Sequence, residues 1–183
     1  MILSFAEHCL RMRAWPTRGD LVEALASCGG GYVVLGDTAE YATGFHSIAI
    51  FPRGIITRHF AIGICSETDG LPPNLLLKPE SSLIIVGYNS AITGIGVPDG
   101  EIRFEVQCDW LFSQFLDLSA RKVTLALYEV GVLALSDAGE ELWRRSTEII
   151  LDWTLHDDRL TLEFIDAPPM SLDLATGEPL PAP

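Results

Sequence analysis

The stretch Val130–Trp143, VGVLALSDAGEELW, decides how this chain is read. It has two partners, AITGIGVPDGEIRF at 91–104 and PPMSLDLATGEPL at 168–180. Each holds a Gly-Glu dipeptide, Gly100-Glu101, Gly139-Glu140 and Gly177-Glu178, and these lie 39 and 38 residues apart. A fixed period of this size is the signature of a repeated supersecondary unit. Within each phrase, apolar residues run up to a turn dipeptide and apolar residues resume after it. That pattern predicts strand, turn, strand.

Working outward, Asp99-Gly100 is a tight-turn dipeptide, and EIRFEVQ follows it with Ile102, Phe104 and Val106 on one face. LIIVGY, KVTLALYEV, EIILDWTL and RLTLEFI supply further strands, with a turn at Asp157-Asp158. Asp109-Trp110 and Asp152-Trp153, 43 residues apart, read as a second echo of the period. Residues 109–119, DWLFSQFLDLS, also carry apolar residues at helical spacing. The repeat favours a strand there, because DWTLHDDRLTL reads as a hairpin.

Upstream, residues 1–30 are expected to be a helical segment, with Ser4-x-x-Glu7 as a capping box and Asp20-x-x-Glu23 as a second start. Gly29-Gly30-Gly31 then stops the helix. Residues 31–65 are expected to form the first β hairpins, from YVVLG, Phe45–Phe51 and IITRHFAIGIC, with a turn at Pro52–Gly54. Residues 66–82 hold three prolines and are expected to be a loop, and residues 83–180 are the repeated hairpins. The expected fold is a single domain, mainly β or α+β.

The phrases VGVLALSDAGEELW and MSLDLATGEPL resemble the repeats of quinoprotein-type β-propellers. Leu133-Ala134-Leu135, Gly139-Glu140 and Trp143 match one unit; Leu172-Asp173-Leu174 and Thr176-Gly177-Glu178 match the next. In such a repeat an Asp side chain braces the turn, Gly supplies a positive φ, and Trp packs between sheets. A propeller needs four to eight four-stranded blades. Residues 83–180 supply two units and a fragment. The expectation is therefore related hairpins in an open sandwich or curled sheet, without the quinone cofactor or dehydrogenase activity of complete rings.

Charge bounds the partners. The net charge is −13, with six Lys/Arg against eight Asp/Glu in residues 1–80 and six against seventeen in residues 81–183. Such a field repels phosphate backbones and anionic lipid, and attracts basic proteins. No run of 18 apolar residues is present, and MILSFAEHCLRMRAW lacks the form of a secretory signal, so a cytoplasmic location is expected. Cys9, Cys28, Cys65 and Cys108 form no C-x-x-C pair and read as reduced thiols.

Candidate chemistry is thin. His46 and His59 flank the turn at Pro52–Gly54, with Cys65 beyond, and could form a His/His/Cys site; alternation instead places His46 with Ile48 and Ile50 as a strand histidine. His8-Cys9 do not face each other. Asp152, His156, Asp157 and Asp158 lack the spacing of a Ca2+ loop. Trp110, Trp143 and Trp153 read as core residues of the repeat. No catalytic, cofactor or metal residue is assigned. The expected function is non-catalytic recognition through an acidic β surface, adaptor- or immunity-like, with a basic protein as partner. Two alternatives stand beside it: a small enzyme centred on His46 and His59, and a structural subunit that completes its sheets by oligomerising.

Overall fold

The computed structural model describes residues 2–5, 8–36, 41–52, 60–67, 72–97 and 99–181, the first four by backbone alone. Among the described residues, seventeen strands and one α-helix make a mainly β fold, and the strands form four small sheets, none closed on itself. Contacts within the chain divide it into two compact units, Met1–Asn89 with Thr93–Phe104, and Ser90–Ile92 with Glu105–Pro183.

The first sheet contains β1 (Ile2–Phe5), β2 (His8–Trp15), β3 (Tyr32–Leu35), β4 (Gly44–Pro52) and β5 (Phe60–Ser66), in the order β1-β2-β4-β5-β3. Strands β3 and β5 run parallel, and the other described neighbours in this sheet pair antiparallel. The helical segment expected over residues 1–30 reduces to one short helix, α1 (Arg18–Ala26), preceded by strands β1 and β2. The capping-box pattern at Ser4 misleads because the alternation of β2, with Leu10 buried between half-buried and exposed neighbours, fits a strand paired on both sides. The helix is capped by Thr17, whose Oγ1 accepts from the Asp20 N–H at 3.1 Å. It buries Leu21 and Leu25 against Ala61 and Cys65 of β5. Gly63 permits that approach: a Cβ there would lie 2.5 Å from Leu25 Cδ1.

The second sheet runs β6 (Asn74–Lys78), β7 (Leu83–Tyr88), β8 (Ala91–Gly96) and β9 (Ile102–Gln107) in chain order. Strand β6 lies inside the stretch expected to be a loop. Proline flanks it at Pro72, Pro73 and Pro79, and the apolar NLLLK between them pairs with β7. The turn expected at Pro52–Gly54 extends into residues outside those described, although β4 and β5 do pair antiparallel.

The third sheet holds β10 (Phe112–Leu118), β11 (Val123–Tyr128), β12 (Gly131–Ser136) and β13 (Glu141–Ser146). The fourth holds β14 (Ile150–His156), β15 (Arg159–Phe164), β16 (Met170–Asp173) and β17 (Pro179–Leu180). Residues 112–118 are thus strand, as the repeat implied. The two sheets share one apolar core. Leu116, Leu125, Leu127, Val132 and Ala134 come from one side, and Leu160, Leu162, Phe164, Leu172 and Leu174 from the other. Strands β10 and β14 carry the same irregularity, a register shift at Phe112/Gln114 and at Ile150/Asp152. This sets Trp153 equivalent to Phe115, so the Asp109-Trp110 and Asp152-Trp153 echo has no structural counterpart. Trp110 precedes its strand and is 55% exposed, which corrects its expected place in the core.

Candidate functional site

The Gly-Glu turns show why the repeat exists. Gly100, Gly139 and Gly177 have φ of 74°, 83° and 69°, the left-handed region that only glycine enters freely. Each turn closes by the same bond across it: Gly96 N–H to Glu101 O, Ser136 N–H to Glu140 O, and Asp173 N–H to Glu178 O, all at 2.9 Å. Side chains brace them from within. Asp99 Oδ1 accepts from Glu101 N–H, Ser136 Oγ from Ala138 and Glu140 N–H, and Asp173 Oδ1 from Ala175 and Thr176 N–H. The expected aspartate brace is present in the first and third units, and serine takes its role in the second.

Strand β13 adds a clamp that sequence reading did not find. Trp143 and Arg145 pair with Ala134 and Val132, so both point to the core face. Trp143 Nε1 donates to Leu174 O at 3.1 Å, and a Cβ on Gly177 would lie 2.5 Å from the indole. Arg145 Nε donates to Gly177 O at 3.0 Å, and its Nη2 meets Glu178 Oε1 at 3.1 Å. One strand thereby grips the turn of the neighbouring sheet through an indole and a guanidinium. The signal available was the adjacency of Trp143 to two arginines.

Arg144, between them in sequence, faces the other way. It donates to Glu141 at 2.9 Å, to Gln107 O at 3.0 Å and to Asp109 at 3.4 Å; Tyr128 Oη donates to the same Asp109 at 3.4 Å. The Glu141 hydrogen bonds hold the guanidinium proton more tightly than usual. Burial, with Asp109 nearby, pushes the Tyr128 phenol up to about 12. Burial pushes the Cys108 thiol up to about 11, against a smaller pull from Arg144. The cluster is a polar lock.

Among the described residues the other sequence candidates do not converge. His46 pairs with Ile64 and Cys65 with Phe45, so the two side chains point to opposite faces of the first sheet. Burial lowers the His46 pKa, and its Nδ1 has no hydrogen-bond partner among the described residues. His59 lies outside the described residues. His8 and Cys9 are neighbours on β2 and point to opposite faces. Cys9, Cys28, Cys65 and Cys108 form no disulfide. Among the described residues no group of three His, Cys, Asp or Glu side chains gathers at metal-binding distance.

What the acidic residues do form is a cleft of about 510 Å3 at the turn end of the fourth sheet, lined by His156, Asp157, Asp158, Arg159, Asp173 and Leu180. Asp157 holds φ at 49° in the two-residue turn, and its carboxylate lies 3.0 Å from His156 Nδ1. Asp158 is paired with Arg121. The Asp173 carboxyl is held below the usual range, chiefly by its hydrogen bonds from Thr176. A carboxyl with a lowered folded pKa stabilises fully above its unfolded value near 3.9, and the contribution is lost as pH falls through the folded value. Asp173→Asn is therefore expected to flatten the acid limb of a Tm-against-pH profile below about pH 4, which thermal melts across that range measure. The sheet face opposite the core is polar: Thr154 aligns with Thr161 and Ser171, and Thr161 Oγ1 bonds Ser171 Oγ at 3.0 Å. No helix among the described residues is long and apolar enough to cross a membrane.

No protein-family description and no curated protein matches the chain. Among solved structures it is similar to the computationally designed Ika8 protein, with a TM-score of 0.50 and 11% identity over 75% of this chain and 45% of that one. It is also similar to the computationally designed Ika4 protein, with a TM-score of 0.48 and 12% identity over 63% of this chain and 74% of that one. The likeness to Ika8 spans less than half of that chain, and at such identity it concerns the fold alone.

Proposed function

We propose that this chain is a non-catalytic recognition protein, an open β-repeat scaffold of quinoprotein-like hairpins whose acidic turn end docks a basic protein in an adaptor- or immunity-like role. The observation that carries the reading is how the charges are used. The unit of Ser90–Ile92 and Glu105–Pro183 holds five Lys/Arg against fifteen Asp/Glu. Three of the five, Arg121, Arg144 and Arg145, are tied to carboxylates within the unit. Carboxylates thus outnumber the cations that could neutralise them inside the unit, and the cleft gathers Asp157, Asp173 and the Arg121-paired Asp158 in one concavity. Electrostatic complementarity of this kind speeds and selects association with a basic surface.

The test separates a site from mere net charge. Asp157→Asn, Asp158→Asn and Asp173→Asn together are expected to weaken binding of an arginine- and lysine-rich peptide by about tenfold at about 0.15 M salt, about 1.4 kcal/mol. A control with the same charge change, Glu105→Gln, Glu148→Gln and Asp166→Asn, is expected to change it less than twofold by roughly the same argument from screening. Isothermal titration of both variants decides. Equal losses in the two would reduce the proposal to bulk charge, and no loss in either would remove it.

A further inference from the structure

The first sheet holds a basic cleft in an otherwise acidic protein. Residues alternate along β2, so Arg11, Arg13 and Trp15 share one face, in register with Ala49, Ser47 and Phe45 of β4. This is the face that α1 covers. The helix sits over β5, where Ala61 and Gly63 let it approach, and its Ala24 and Leu25 form one wall of a cleft of about 70 Å3. Arg11, Arg13 and Ser47 line it from the sheet.

Three features make this a built site. First, both guanidiniums are held by aromatic rings: Arg13 Cζ lies 4.0 Å from the Trp15 ring centroid and Arg11 Cζ 5.7 Å from that of Phe51. Stacking engages the flat face of a guanidinium and leaves its N–H groups, which lie in the plane, free to donate. Second, neither arginine meets a carboxylate among the described residues, whereas Arg103, Arg121, Arg144 and Arg145 each do. Third, Ser47 is 8% exposed and accepts a hydrogen bond from Trp15 Nε1 at 2.9 Å. That bond fixes the indole and uses an acceptor lone pair, so the Ser47 O–H is still available as a donor. Neither carboxylate of α1, Asp20 or Glu23, is among the residues that line the cleft, and Asp20 accepts from Thr17 Oγ1 at 2.7 Å.

We infer that this cleft binds a phosphate-sized oxyanion, held by the Arg11 and Arg13 guanidiniums and the Ser47 hydroxyl. Arg11 and Arg13 line the same small cleft, so both forks can offer donors to a single tetrahedral anion. The volume suits one such group, free or carried on a small molecule. The site is independent of the acidic cleft and of its proposed role, since it uses no residue of the other unit.

The test follows the Trp15 indole N–H by NMR while inorganic phosphate is added at constant ionic strength. A saturable shift of that resonance is expected with phosphate, and none with chloride. Acetate distinguishes a general carboxylate site: an equal, saturable response to it would overturn the phosphate assignment. Arg11→Gln with Arg13→Gln is expected to weaken phosphate binding at least tenfold, Ser47→Ala about threefold, and the ion-paired Arg103→Gln not at all. An unmoved Trp15 resonance in the wild-type protein, or an undiminished response in the double arginine variant, contradicts the inference. The wild-type titration decides even if that variant fails to fold.

Discussion

Trp143→Ala is expected to destabilise the protein by about 3 kcal/mol, the range for removing a large aromatic from a packed site. The indole packs against the core shared by the third and fourth sheets, and its N–H satisfies Leu174 O at the neighbouring turn. Truncation removes contact on both sides and leaves that carbonyl to water. Because Trp143 is only partly buried, the loss should fall below the upper end of the range. Urea unfolding followed by circular dichroism measures it, with an unchanged slope expected if the native fold persists. A loss under about 1 kcal/mol would mean that the indole does not join the sheets.

Gly177→Ala is expected to cost a similar amount, about 3 kcal/mol, for a different reason. Its φ of 69° penalises any side chain by about 1 kcal/mol. The remaining 2 kcal/mol or so comes from overpacking, because the new Cβ would lie 2.5 Å from the Trp143 ring. The two substitutions should therefore couple. In a Trp143→Ala background the ring is gone, and Gly177→Ala should cost only the backbone part, about 1 kcal/mol. Gly29→Ala is the control: no atom lies within 4 Å of a Cβ there, and its φ is outside the left-handed region, so its effect should be near zero. Additive losses in the double variant would show that Trp143 and Gly177 do not touch.

The period of the Gly-Glu dipeptides was legible because it is local. A turn needs a glycine at one φ and a short acceptor side chain before it, and both are written in six residues. Strands β7 to β16 follow from that pattern, including β10, whose helical spacing alone pointed elsewhere. The N-terminal strands were not legible. Ser4-x-x-Glu7 satisfies a helix-start pattern, and β2 reveals itself through pairing with β1 and with β4, whose residues lie thirty or more positions away in the chain. Likewise NLLLK between prolines looks like loop until β7 is there to pair with it. The false echo at Asp109-Trp110 has the same origin: a dipeptide match carries no register, and the register shifts in β10 and β14 set its true equivalents.

Site chemistry was legible only as charge. The excess of acid in residues 81–183 is a composition, whereas the cleft at Asp157, Asp158 and Asp173 needs two turns of the fourth sheet brought side by side. The Arg144 lock and the Trp143–Arg145 clamp arise because alternate residues of β13 face opposite ways, one toward Asp109 and Tyr128, the others toward the next turn. The Arg11–Arg13–Ser47 cleft was hidden twice over, once by the helix expected in its place and once by the distance from β2 to β4 in the chain.

The Gly-Glu period marks sheets joined through a shared core and a gripped turn. Native-state hydrogen exchange tests it most directly. The buried amides of Leu125 and Leu127 in the third sheet and of Leu160 and Leu162 in the fourth should exchange with one common opening free energy, and Trp143→Ala should lower all four by the same amount. Exchange of the fourth sheet at a distinctly lower free energy, or a Trp143→Ala effect confined to one sheet, would contradict the account.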